Sequence, residues 1–110
     1  MPEDWLIPFL LLCLGDGGCY GHQLEERLDE LGFDGMRLEM YRALWQMEWE
    51  GMVLCDHEDD GSGLPRRWYE IAGAGEAYME FWADSVARFQ KEVDLFFRIY
   101  TKRSARGAPG

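Results

Sequence analysis

The chain is 110 residues long, 47% hydrophobic and 15% aromatic, with a formal net charge of −10. That composition suits one globular domain; it excludes a two-domain enzyme, which needs more chain, and a disordered segment, which cannot be so apolar. An acidic protein also repels phosphate at long range, so any binding of nucleic acid has to rest on close contacts.

Trp5 to Leu14 has the apolar character of a signal-peptide core, yet Pro2-Glu3-Asp4 is acidic where such a peptide carries Lys or Arg, and no small-x-small cleavage site follows. The segment is expected to form a buried first helix, Pro2 to Leu14, of an intracellular protein. Three cysteines, an odd count, argue against a disulfide framework. No stretch approaches the roughly 18 uncharged apolar residues of a membrane span. Gly15-Asp16-Gly17-Gly18 breaks the helix. A second helix, Gly21 to Leu31, places Leu24, Leu28 and Leu31 on one face, and Gly32 stops it. A third, Arg37 to Glu50, turns Met40, Leu44 and Met47 inward and stops at Gly51. The period then changes. Met52–His57 and Arg66–Ile71 read as strands of a hairpin whose link, Glu58 to Pro65, is a flexible acidic tip.

The last element is the most regular. Met79, Trp82, Val86, Phe89, Val93, Phe96 and Tyr100 alternate spacings of three and four, a coiled-coil seam about 33 Å long. So long a stripe needs a partner, so a homodimer is expected in which the first and last helices pack across a two-fold axis. The expected organisation is a DNA-binding-type domain over 1–72, a dimerisation helix over 73–103 and a frayed basic tail over 104–110.

Helix, helix-turn-helix, two-stranded wing and long helix, in that order, make a mostly helical α+β winged helix-turn-helix arrangement, whose third helix enters the major groove. Tyr20-Gly21-His22-Gln23-Leu24 resembles the glycine-containing start of the second helix in the PadR family of transcriptional regulators. Met40-Tyr41-Arg42-Ala43-Leu44 with Glu48-Trp49-Glu50-Gly51-Met52-Val53 resembles its recognition-helix motif, and Leu64-Pro65-Arg66-Arg67-Trp68-Tyr69-Glu70-Ile71 its wing strand. Ala74-Gly75 matches the opening of its final helix, and the likeness runs over roughly residues 5 to 100. Trp5-Leu6-Ile7-Pro8 and Phe96 to Thr101 are most similar to the polyhydroxybutyrate-responsive repressors of that family. The resemblance implies a cytoplasmic homodimeric repressor of transcription, with no enzymatic activity and no cofactor. It would bind double-stranded DNA and be released by an apolar small-molecule or polymer effector, away from any membrane.

Carried over from the motif, Tyr41 and Arg42 are expected to contact operator DNA, with Arg37 and Gln46 beside them; the plainer reading is a half-buried tyrosine and a solvated arginine. Arg66 and Arg67 either clamp a phosphate or pair with Glu58, Asp59 or Asp60 across the hairpin. Leu38-Glu39 stands where the family has Gly-Thr, and Ala72-Gly73 where it has Thr-Glu, which removes a helix N-cap worth about 1 kcal/mol. From Tyr20 to Ala72 five basic residues face thirteen acidic ones, a balance of −8. Trp45 and Trp49 share a helix face with Arg42 and Gln46; either they pack into the core against the wing or first helix, or they form an exposed contact patch. Trp5, Phe9, Trp82, Val86, Phe89, Val93 and Phe96 are either plain core or the lining of an effector pocket at the dimer interface. Cys19-x2-His22 and Cys55-x-His57 carry zinc-type donors, but the second pair is too closely spaced, so no metal is expected. The rival to a DNA-binding regulator is a protein- or granule-interaction module on the same fold.

Overall fold

The computed structural model describes residues 5–15, 17–59 and 65–107. It divides into one unit up to Met79 and a second from Glu80 onward. In the first unit, α1 (Leu6–Leu14) buries Leu6, Leu10, Leu11 and Leu14. Pro8 is tolerated because it falls in the first turn, where a backbone N–H would have no helical acceptor. The expected start at Pro2 lies outside the described residues. α2 (Gly21–Glu30) and α3 (Arg37–Trp49) bury Leu24 and Leu28, and Met40, Leu44 and Met47, as their spacing predicts. Each of these apolar side chains contributes about 1.5–3 kcal/mol by leaving water. Arg27 Nη1 donates to the Cys13 carbonyl at 2.7 Å, so a cation of α2 sits on the C-terminal end of α1.

Both middle helices end the same way. Gly32 and Gly51 take positive φ, 93° and 75°. Phe33 N then donates to the Leu28 carbonyl at 2.9 Å, and Met52 N to the Met47 carbonyl at 2.8 Å. These are Schellman stops, and the residue after each glycine packs back into the core.

The sheet has three strands in the order β1-β3-β2, all antiparallel. β2 (Val53–Asp59) and β3 (Pro65–Ile71) are the expected hairpin, with Val53 opposite Ile71 and Cys55 opposite Tyr69. The acidic tip beyond Asp59 lies outside the described residues. β1 (Cys19–Tyr20), which pairs with Tyr69 and Trp68, was not expected: two residues have no period to detect. The Tyr69 phenol has the Cys55 thiol opposite it across the hairpin and the Arg67 guanidinium two residues back along β3, and it interacts with both. Burial pushes both the Tyr69 phenol and the Cys55 thiol up from their ordinary pKa values.

α4 (Gly73–Gly107) begins against Met52, the residue that follows the Gly51 stop of α3. The Met52 carbonyl accepts from Ala72 N at 2.9 Å, and a side chain on the buried Gly75 would collide with that same oxygen. The helix continues to Gly107, so the tail expected to fray from residue 104 is helical over its described part. Within the second unit the seam is open: Trp82, Val86 and Val93 are half-buried, whereas Phe89, Phe96 and Tyr100 are exposed. No helix among the described residues is long and apolar enough to cross a membrane.

Two outcomes follow from this packing. Gly75→Ala is expected to lower stability by about 1–3 kcal/mol, because the methyl meets backbone that cannot swing aside. Gly73→Ala, with open space around it, is expected to be neutral or slightly stabilising; equal urea midpoints for the two variants would contradict this packing. The second outcome concerns pH. The folded chain holds protons on Cys55 and Tyr69 that the unfolded chain releases near 9.0 and 10.0, so their contribution is complete below that range and lost as pH rises through it. Urea midpoints measured at rising pH should fall in this alkaline range, and less steeply for Tyr69→Phe.

Candidate nucleic-acid interface

Three elements converge on one open cleft of about 480 Å³: Tyr20, Gly21 and His22 at the start of α2, Arg37 and Tyr41 on α3, and Arg66 and Arg67 at the base of β3. Local geometry explains each placement. Tyr20 takes extended backbone, and its N–H donates to Gln23 Oε1 at 2.9 Å, so the chain enters α2 as half of a capping box. Gly21 is buried because Tyr41 lies over it, and a Cβ there would stand 3.1 Å from the Tyr41 hydroxyl. The Tyr20 ring meets Trp68 edge-on at 4.9 Å, with His22 stacked on it at 5.8 Å.

The arginines are held by aromatic rings. The Arg66 guanidinium sits 5.5 Å from the Tyr20 ring centre, and that of Arg37 5.9 Å from the Tyr41 ring centre. Arg37 Nε also faces Glu25 Oε2 at 3.5 Å. Arg67 lies beside the Tyr69 phenol, an interaction that favours its charged form. Three guanidinium groups thus share one cleft with a tyrosine hydroxyl. Such an arrangement can take a phosphate, with forked charge-assisted donors on several sides.

Of the six residues expected to contact DNA, the structure brings Arg37, Tyr41, Arg66 and Arg67 together and leaves Arg42 and Gln46 outside the cleft. Arg42 is exposed on α3, and Gln46 Nε2 donates to Glu50 Oε1 at 2.6 Å. The alternative pairing of Arg66 and Arg67 with Glu58, Asp59 or Asp60 falls on carboxylates whose side chains lie outside the described residues. Tyr20 and His22 were missed as cleft residues, although the motif containing them had been recognised as the start of a helix. Their role depends on β1 laying Tyr20 beside Trp68.

Packing of Trp45 and Trp49 into the core is corrected. They are 63% and 80% exposed and stack on each other at 6.3 Å. Met40, Leu44 and Met47 already fill the inward side of α3, which leaves no room for an indole. In the first unit Trp5 and Phe9 are half-buried, 6.0 Å apart, and Phe9 reaches Phe33 at 5.5 Å. In the second unit Phe96 stacks on Tyr100 at 6.0 Å. Among the described residues no three potential metal ligands come together.

The profile described as the transcriptional regulator PadR-like family matches residues 10–81, well over half of the chain. No curated protein matches it by sequence. Among solved structures, a PadR family regulator from Clostridium difficile R20291 is similar with a TM-score of 0.74 and 20% identity, over 84% of this chain and 98% of that one. A PadR-like transcription factor from Bacteroides fragilis gives 0.77 and 18%, over 86% and 91%. A PadR-like regulator from Bacillus cereus strain ATCC 14579 gives 0.74 and 21%, over 86% and 93%. At these identities the solved structures support the winged-helix fold, while the profile supports descent. The chain therefore belongs to the PadR-like family of transcriptional regulators, and is a regulator rather than an enzyme.

Proposed function

We propose that the protein is a cytoplasmic repressor that binds double-stranded DNA as a homodimer and lets go on binding an apolar effector. The observation that carries this reading is the convergence of Arg37, Arg66, Arg67 and Tyr41 on one cleft, in a chain whose net charge is −10. A backbone phosphate seated there positions α3 for the major groove and the β2–β3 wing along the backbone. Arg42, exposed further along α3, reaches a base edge. A second copy covers the open seam of α4, so that two α3 helices meet successive major grooves of a pseudo-palindromic operator about one helical turn apart. The likeness of the flanks, Trp5 to Pro8 and Phe96 to Thr101, to polyhydroxybutyrate-responsive repressors supports an apolar polymer or small aromatic as effector. It would act on the aromatic seam by favouring one spacing of the two wings.

The exposure of Trp45 and Trp49 favours a second reading, a protein- or granule-contact module that kept the fold. Fluorescence anisotropy of the purified protein on its own upstream DNA, across a salt series, separates the two. A DNA-binding repressor outcompetes random DNA with a shallow salt slope; no binding even at low salt supports the contact module instead. Arg66→Ala and Arg67→Ala are each expected to weaken binding to all sequences alike and to reduce the salt slope by about 1. Arg42→Glu is expected to abolish operator binding with the dimer intact, and retained binding by that variant would overturn the role given to α3.

A further inference from the structure

The outward side of α3 is apolar where a major-groove reader is ordinarily polar. Leu38, Arg42, Trp45 and Trp49 recur at helical spacing along the side opposite the buried Met40, Leu44 and Met47. Three of these four are apolar and exposed, Leu38 to 58%. Arg37 and Tyr41, each one position before Leu38 and Arg42 on the same helix, line the cleft. Carboxylates lie on either side of it: Glu39 towards the start of the helix, Glu48 and Glu50 towards its end.

We propose that α3 recognises thymine through its 5-methyl group, with Trp45 and Trp49 packed on the methyls and Arg42 the one cationic reader among them. The inference rests on the DNA-binding reading and specifies what that site prefers. The major groove offers one apolar feature to an indole or a leucine, and that is the thymine methyl. The flanking carboxylates can accept hydrogen bonds from the amino groups of cytosine or adenine but give nothing to guanine O6 and N7. Electrostatics points the same way. With a balance of −8 between Tyr20 and Ala72, the long-range field opposes the duplex, so affinity rests on the close contacts of the cleft and on uncharged contact area. Two indoles are the largest such area on the helix.

The test compares two labelled duplexes at low salt, alternating dA-dT and the same duplex with deoxyuridine in place of every thymidine, which differ only in the methyl group. Wild-type protein is expected to bind the thymine duplex more tightly, by about fourfold for each methyl contacted. In Trp45→Ala/Trp49→Ala the preference should disappear. Both positions are exposed, so the fold and dimer are expected to survive, which circular dichroism and light scattering would verify. Arg42→Ala should weaken binding to both duplexes without changing their ratio. Equal binding of the two duplexes by wild-type protein, or an unchanged ratio in the double-tryptophan variant, overturns the inference while leaving DNA binding in place. Failure to bind either duplex or the upstream DNA overturns the DNA-binding reading itself, and this inference with it.

Discussion

Where α2 and α3 cross, the ring of Tyr41 lies against the backbone of Gly21, and the cleft depends on that contact. Any side chain at position 21 would press on the tyrosine hydroxyl and on Cε1, 3.1 and 3.3 Å from a Cβ. Glycine therefore sets how closely the two helices approach, and the hydroxyl comes to rest at the first turn of α2, where backbone N–H groups point outward. Beneath this contact Leu24, Leu28, Met40, Leu44 and Met47 form one buried cluster. The helix pair that makes the core with its inner faces thus carries the site on its outer rim. Changes to the core and changes to the site are coupled through the same two helices.

Charge is distributed so that a strongly acidic chain can still hold an anion. The winged unit is acidic overall, yet three guanidinium groups converge on the cleft, each steadied by a phenol ring or a phenol hydroxyl. Ring contacts orient a guanidinium without neutralising it, whereas a carboxylate partner would cancel it. Glu25 is such a partner for Arg37, and it meets Nε. Short-range donors in a repulsive long-range field favour partners that fit closely over those that are merely polyanionic.

Among the described residues, two aromatic faces are uncovered. The α4 seam keeps Phe89, Phe96 and Tyr100 in solvent, and the outer side of α3 keeps its paired indoles there. Exposed aromatic area at this density marks contact sites in soluble proteins. The two faces differ in kind. The seam has the alternating three-four spacing that matches a second helix, whereas the α3 stripe is interrupted by Arg42 and edged by carboxylates, which suits a partner with polar edges.

Much of the fold was legible in the sequence because helices and hairpins advertise themselves locally. Leu24 and Leu28, and Met40, Leu44 and Met47, recur at the helical period, and Gly32 and Gly51 stand where a left-handed residue ends each helix. The motifs around Tyr41 and Arg66 also fall on the helix and strand that line the cleft. What periodicity cannot report is occupancy. Trp45 and Trp49 are as apolar as core residues, and only the filled inner side of α3 decides that they stay outside. Likewise β1 is too short to have a pattern, so the placing of Tyr20 against Trp68 and Arg66 emerges only when the sheet forms. The sequence by itself determined which elements exist and which face of each is apolar, because those are properties of neighbours a few residues apart. The tertiary structure decided which apolar faces find a partner and which cations share a cleft, because both depend on residues from three separate elements competing for the same space.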